Sequence, residues 1–192
     1  LGTGIGVTEW QNLRERANEY GFSVVATDWT GWSDNDYDTI KAFLANMSYL
    51  QAQSDRLHQA MINKIALTRT FKGVCSDIPE FKNADNVNLV DNTDLQYMGY
   101  SLGGIYGGTF LTLSPDIDRG VFWVGGTAFS QIVERSTHYY SFEQIFQLPI
   151  GYPDRNDRAI LISMGQHLWD LTDPETYIPF ARGNHSWSAP KE

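Results

Sequence analysis

The stretch LQYMGYSLGGIYGGTF, from Leu95 to Phe110, decides the fold of this 192-residue chain. Its first five residues are an apolar run that predicts a short strand, and the small, apolar residues 102–113 predict a buried helix. Between them, the segment Gly99 to Gly103 fits the pattern Gly-x-Ser-x-Gly. A serine on a tight strand-to-helix turn presents its hydroxyl above the sheet edge, and the glycines allow the backbone to approach closely.

Strands and helices alternate through the first 125 residues. Further strands are predicted over 22–27 and 120–125, and further helices over 8–20, 38–50 and 51–71. This alternation indicates an α/β fold, with a mainly parallel sheet that is flanked by helices on both faces. From residue 130 the pattern becomes helical, over 141–148 and 157–170.

Composition excludes several classes of protein. With 14 Lys and Arg against 23 Asp and Glu, the net charge is −9, which argues against binding to nucleic acid or to an anionic membrane surface. No run of 18 apolar residues is present, so no transmembrane segment is expected. The single cysteine, Cys75, cannot form an internal disulfide. The acidic loop Asp34 to Asp38 lacks the glycine and glutamate of a calcium loop, so we expect a solvated loop, no metal and no cofactor.

The segment Gly99 to Gly104 resembles the nucleophile elbow of the α/β-hydrolase superfamily. The resemblance covers residues 1–128. Within it, Ala26 to Gly31 resembles a strand end of that family, and the glycine-rich residues 1–6 resemble the loop that supplies a second oxyanion N–H. The resemblance implies an α/β-hydrolase-like fold, with a helical lid-like insertion in the last third of the chain.

The same resemblance implies an activity and two site residues. Ser101 would be the nucleophile of a lipase- or esterase-like serine hydrolase, and the N–H of Leu102 would be an oxyanion donor. The implied substrate is a small-molecule or lipid ester. A further oxyanion donor would lie within residues 1–6.

The base and acid of a catalytic triad are harder to place. In this family the order is serine, then acid, then histidine. His138 and His167 fall in predicted helices, and His185 lies in a turn. Asp170 or Asp173 with His185 is an in-chain alternative, but too few residues separate them for the expected helix and strand. We therefore expect the base and acid to lie outside this chain.

These observations predict three segments: a hydrolase core over residues 1–129, a helical insertion or lid over 130–182, and a polar tail over 183–192. The chain resembles the middle of a larger hydrolase without its outer strands, so we expect another chain or precursor segment to complete the sheet. The alternative is a non-catalytic hydrolase-like binding module, because a fold does not imply an activity. Trp29 and Trp32 either line a substrate pocket or pack in the core.

Overall fold

A computed structural model describes residues 7–148 and 151–181, which form a mixed α/β fold with a two-stranded parallel sheet. The elements of these ranges are α1 (Val7–Tyr20), α2 (Tyr37–Ala45), α3 (Leu50–Lys72), β1 (Gln96–Tyr100), α4 (Leu102–Leu113), β2 (Arg119–Trp123), α5 (Phe129–Val133), α6 (Tyr139–Phe146), α7 (Arg155–Trp169) and α8 (Pro174–Tyr177). None of the helices in these ranges has the length and apolar character needed to cross a bilayer.

The centre of the fold is the unit β1–α4–β2. The two strands run parallel, with Gln96 opposite Arg119 and Tyr100 opposite Trp123. Helix α4 connects them and packs on one face of the sheet, where the rings of Tyr97 and Phe110 are 5.4 Å apart. The predictions for residues 95–99, 102–113 and 120–125 are therefore confirmed, with the strand boundaries shifted by one or two residues.

The opposite face of this sheet is uncovered. Side chains alternate along a strand, so the residues that do not face α4 point to the other side. Among them Met98 is 59%, Tyr100 64%, Val121 63% and Trp123 66% exposed. Parallel sheets are normally covered on both faces, so the described residues supply half of the expected cover.

The prediction of a strand over residues 22–27 is wrong. These residues have no regular secondary structure, and Phe22, Val24 and Val25 are all at least 40% exposed. The reason is physical: a strand needs a neighbour to accept and donate its backbone hydrogen bonds. Within the described ranges no strand pairs with this segment, so its β-branched side chains have no sheet to join.

The helices before the sheet follow the sequence with one correction. Helix α1 ends at Tyr20 as predicted, and the next residue, Gly21, has a φ of 71° that favours glycine. The single helix predicted over 38–50 is interrupted after Ala45. There Asn46 is extended, and its side chain accepts the N–H of Ser48 at 3.0 Å, which starts a new turn before α3.

One hydrophobic core unites α2, α3 and α4 with the helices of the last third. Its buried members include Phe43, Leu57, Tyr106, Phe110, Phe129, Phe142, Phe146 and Trp169. Hydrogen bonds reinforce the packing, since the Trp169 indole donates to Gln53 Oε1 at 2.9 Å and Ser54 Oγ donates to the carbonyl of Leu168 at 2.6 Å. Residues 130–148 and 151–181 thus share the core of the sheet unit, and a lid role for this part of the chain stays a prediction.

The acidic loop is exposed at Asp34, Asn35, Tyr37 and Asp38, as a solvated loop would be, but Asp36 departs from this prediction. Asp36 is fully buried, and its carboxylate accepts the N–H of Gly31 at 2.7 Å and the N–H of Ser33 at 2.9 Å. Arg56 pairs with the other oxygen. Burial by itself would raise the pKa of Asp36, but the bonds from Ser33, Arg56 and Gly31 hold it below its usual range.

Candidate active site

The most unusual backbone geometry of the βαβ unit is at Ser101. The residue lies between the last residue of β1 and the first of α4, with φ 53° and ψ −116°. Residues other than glycine rarely adopt such backbone angles, and this conformation costs about 1–3 kcal/mol in free energy. Strain of this size persists only where the surroundings enforce it, and it is concentrated at functional sites.

Backbone contacts on both sides enforce the turn. The N–H of Ser101 donates to the carbonyl of Trp123 at 3.0 Å, and the carbonyl of Ser101 accepts the N–H of Ile105 at 3.0 Å. Gly99 passes so close to the helix that an added Cβ would lie 2.2 Å from the carbonyl oxygen of Gly103. The glycine at this position is therefore required by the sharpness of the turn, as the sequence pattern predicts.

This turn places a half-buried serine at the start of a buried helix. Ser101 is partly accessible, and Leu102 is the first residue of α4. The first N–H groups of a helix have no acceptor within the helix, and the helix dipole favours negative charge there. The structure thus brings Ser101 and the Leu102 N–H together at one helix N-terminus, where a hydroxyl and amide donors serve acyl chemistry.

The loop after β2 lies beside the serine turn and is also strained. Val124 has a φ of 55°, and Ala128 has a φ of 55° as well. A positive φ is a clear outlier for a β-branched residue such as Val124. Both strand ends of the sheet are therefore followed by a non-glycine residue in an unfavourable conformation, and no sequence pattern predicts the one at Val124.

Asp173 holds this loop in place. Its fully buried carboxylate accepts the N–H groups of Ala128 at 3.0 Å, Phe129 at 2.6 Å and Glu175 at 2.9 Å. The Gln166 side chain donates to it at 3.1 Å. The position of Asp173 before Pro174 is a helix-capping signal, which was available in the sequence. Because these groups occupy both oxygens, the carboxylate acts as a structural clamp in the described structure.

The described histidines do not contact the serine. No hydrogen bond joins the Ser101 hydroxyl to His58, His138 or His167 within residues 7–148 and 151–181. His167 is 89% exposed, with Nδ1 3.8 Å from Asp170. His58, which lies on α3, has a buried Nε2 without a hydrogen-bond partner. His185 and the proposed oxyanion donor in residues 1–6 lie outside the described residues.

Trp29 connects the loop after residues 22–27 with the serine turn. Its indole nitrogen lies 3.6 Å from the point where a Cβ on Gly103 would be. The ammonium of Lys64 lies over its ring at 4.1 Å and donates to the carbonyl of Asp28 at 2.9 Å. Burial lowers the pKa of Lys64 to about 8. Trp32, in contrast, is buried in the core, so the two tryptophans have different environments.

The internal cavity of the hydrophobic core does not reach Ser101. This small cavity lies between α2 and the helices α5–α7 and is lined by apolar side chains, Trp32, Phe129, Phe142 and Trp169 among them. Its volume of about 10 Å³ is far below the 300 Å³ or more of a typical ligand pocket. In the same part of the chain, no cluster of three or more His, Cys, Asp and Glu residues is placed to hold a metal ion.

Comparison with protein-family models, with curated proteins and with solved structures finds no match to this chain. The geometry at Ser101 is therefore the basis for the functional assignment that follows.

Proposed function

We propose that this protein is a serine hydrolase of carboxylic esters, with Ser101 as its nucleophile. One observation carries the proposal: a serine in a Gly-x-Ser-x-Gly turn has φ 53° and ψ −116° between a parallel strand and a buried helix. That geometry supports a lipase- or esterase-like site on an α/β-hydrolase-like core. A glycine could occupy the same turn without strain. Serine at this position therefore lowers the stability of the fold relative to glycine, and a functional role explains why it is present.

In the proposed reaction, Ser101 Oγ attacks the ester carbonyl carbon while a general base takes the hydroxyl proton. The carbonyl oxygen becomes an oxyanion, which the N–H of Leu102 stabilises. The ester C–O bond then breaks, and the alcohol leaves with the proton from the base. Water attacks the acyl-serine by the same route, which releases the carboxylic acid and restores the hydroxyl.

We assign the base and acid to residues outside the described ranges. No hydrogen bond joins the serine hydroxyl to His58, His138 or His167 in the described ranges, and the carboxylate of Asp173 is occupied by its backbone donors. The exposed sheet face supports the related proposal that another chain or segment completes the sheet. Such a segment would also be in a position to carry the missing catalytic groups.

A fluorophosphonate probe tests the nucleophile. We expect the probe to label the chain at one site, which peptide mapping places at Ser101, because the oxyanion donors alone accelerate the reaction. Imidazole in the buffer should increase the rate by acting as an external base. Ser101→Ala should abolish labelling and leave the circular dichroism spectrum unchanged, whereas Ser141→Ala, at an exposed serine on α6, should label normally.

Two results would contradict the assignment: labelling that survives in Ser101→Ala, or none in the wild-type chain with imidazole. His185→Ala locates the base. If the base lies outside this chain, this variant and the wild type should be labelled at equal rates, and a large loss of rate in the variant would restore His185 as the base.

The second candidate is a non-catalytic hydrolase-like binding module. The uncovered face around Tyr100 and Trp123 favours it, because an exposed apolar patch indicates an interaction surface. Unreactive Ser101, together with a partner that covers this face, would support the module over the enzyme.

A further inference from the structure

The residues of the first turn of α4 do little to restrict its backbone. It contains Gly103 and Gly104 in succession, and glycine restricts the backbone less than any other residue. An oxyanion donor nevertheless has to be held within about 0.5 Å of its productive position. The rigidity of this turn must therefore come from groups outside it.

The side chain of Tyr97 is one of the groups in contact with that turn. Tyr97 lies on β1, and its hydroxyl donates to the carbonyl of Gly103 at 2.6 Å. Its ring fills the space beside Gly107, where an added Cβ would lie only 2.3 Å from a ring carbon. The ring is also packed against Phe110, with 5.4 Å between centroids. The hydroxyl is thus held against the backbone of the first turn.

A second side chain lies beside the Tyr97 hydroxyl. The hydroxyl oxygen of Tyr97 and the indole nitrogen of Trp29 lie 3.5 and 3.6 Å from the point where a Cβ on Gly103 would be, and the ammonium of Lys64 lies over the indole ring. Burial raises the pKa of Tyr97, which keeps the hydroxyl protonated as the donor to the Gly103 carbonyl. Side chains from α3 and from the loop before α2 therefore pack around the contact between Tyr97 and the serine turn.

We infer that Tyr97 is a positioning residue, which holds the first turn of α4 so that the N–H of Leu102 points at the oxyanion formed when Ser101 reacts. This inference rests on the proposed function. Tyr97 does not touch the reacting atoms, and it acts through the carbonyl of Gly103 and the helix turn to which that carbonyl belongs.

Tyr106, which lies on α4 itself, offers a matched control for Tyr97. The Tyr106 hydroxyl is fully buried on α4, and it accepts the indole N–H of Trp32 at 2.8 Å. The Tyr106 hydroxyl is thus bonded to a tryptophan of the loop before α2, whereas the Tyr97 hydroxyl bonds the backbone of the serine turn. Tyr97→Phe and Tyr106→Phe each remove one buried hydroxyl of similar contribution to stability.

The experiment compares both variants with the wild type in three measurements: the rate constant of fluorophosphonate labelling, kcat and KM for p-nitrophenyl acetate, and amide exchange at Ile105. For Tyr97→Phe we expect labelling and kcat to fall about tenfold with KM unchanged, because a misaligned donor weakens transition-state binding. Exchange at Ile105, whose N–H bonds Ser101, should become faster. Tyr106→Phe should change the rates less than about twofold despite a lower melting temperature.

Each outcome either supports or contradicts the positioning role of Tyr97. Unchanged rates in Tyr97→Phe, or equal losses in both variants, would overturn it, since the second result means that α4 has loosened in general. If the wild-type chain does not react at all, the proposed function fails separately, and exchange at Ile105 then decides. Faster exchange in Tyr97→Phe alone supports the positioning role, and equal exchange in the two variants contradicts it.

Discussion

At the scale of single residues, Ser101 combines a strained backbone with intermediate burial. Alanine removes the hydroxyl and keeps the strain, whereas glycine removes both. This difference separates the cost of the conformation from the loss of the nucleophile, and it can be measured without knowledge of the substrate.

We expect Ser101→Gly to be more stable than Ser101→Ala by about 1–2 kcal/mol in free energy of unfolding, because glycine adopts φ 53° and ψ −116° without steric conflict. Urea denaturation checks this. Neither variant should react with a fluorophosphonate. Equal stability of the two variants would mean that the turn is not strained.

Individual residues also show which features of the structure can be predicted from the sequence and which cannot. Ser101 and Leu102 were placed correctly at the strand-to-helix turn, because the serine pattern and its flanking periodicities are local. The burial of Asp36 could not be predicted, since it depends on Arg56, which is distant in the sequence. The same holds for the Tyr97 hydroxyl, whose hydrogen bond to the carbonyl of Gly103 is visible only in the structure.

At the scale of elements, the contact between β1 and α4 depends on two glycines with different requirements. An added Cβ on Gly99 would lie 2.2 Å from the Gly103 carbonyl oxygen, a clash that backbone must relieve. An added Cβ on Gly103 would have its nearest neighbour at 3.5 Å, which is ordinary contact. The two positions of the same motif are therefore not equivalent.

We expect Gly99→Ala to destabilise the fold by about 2–3 kcal/mol, because strand and helix must separate to admit the methyl group. Gly103→Ala should change the free energy of unfolding by less than about 1 kcal/mol, since alanine also favours the helix. Thermal and urea unfolding of both variants test this. A tolerated Gly99→Ala would show that the turn is looser than its contacts indicate.

Local pattern and long-range pairing explain which elements the sequence predicted. The β1–α4–β2 unit was found because its strands and helix each have a clear period and are adjacent in the sequence. Residues 22–27 have the composition of a strand, but strand formation needs a partner, and composition does not supply one. Similarly, α2 ends at Ala45 because Asn46 caps a new turn, a choice that periodicity does not reveal.

At the scale of the whole molecule, one face of the sheet is exposed and has no packing partner among the described residues. Met98 lies opposite Val121 in the register, and both are about 60% exposed, beside Tyr100 and Trp123. Such a contiguous apolar patch is unusual in a stable monomer.

We expect the isolated chain to bind the dye ANS through this face. The double variant Met98→Lys, Val121→Lys should lower the dye fluorescence by at least about half, because charged side chains break the patch. Ile62→Lys, which removes a single exposed apolar side chain on α3, is the control and should have little effect. Equal fluorescence of the double variant and the wild type would place the dye elsewhere.

The Asp173 clamp has a consequence for synthesis on the ribosome. The sheet unit and the loop up to Phe129 leave the exit tunnel well before residue 173 does. During this interval the N–H groups of Ala128 and Phe129 lack their acceptor, the carboxylate of Asp173. The loop beside the serine can reach its final form only after the last helices have been made. We therefore expect the loop beside Ser101 to be among the last parts of the fold to form during synthesis.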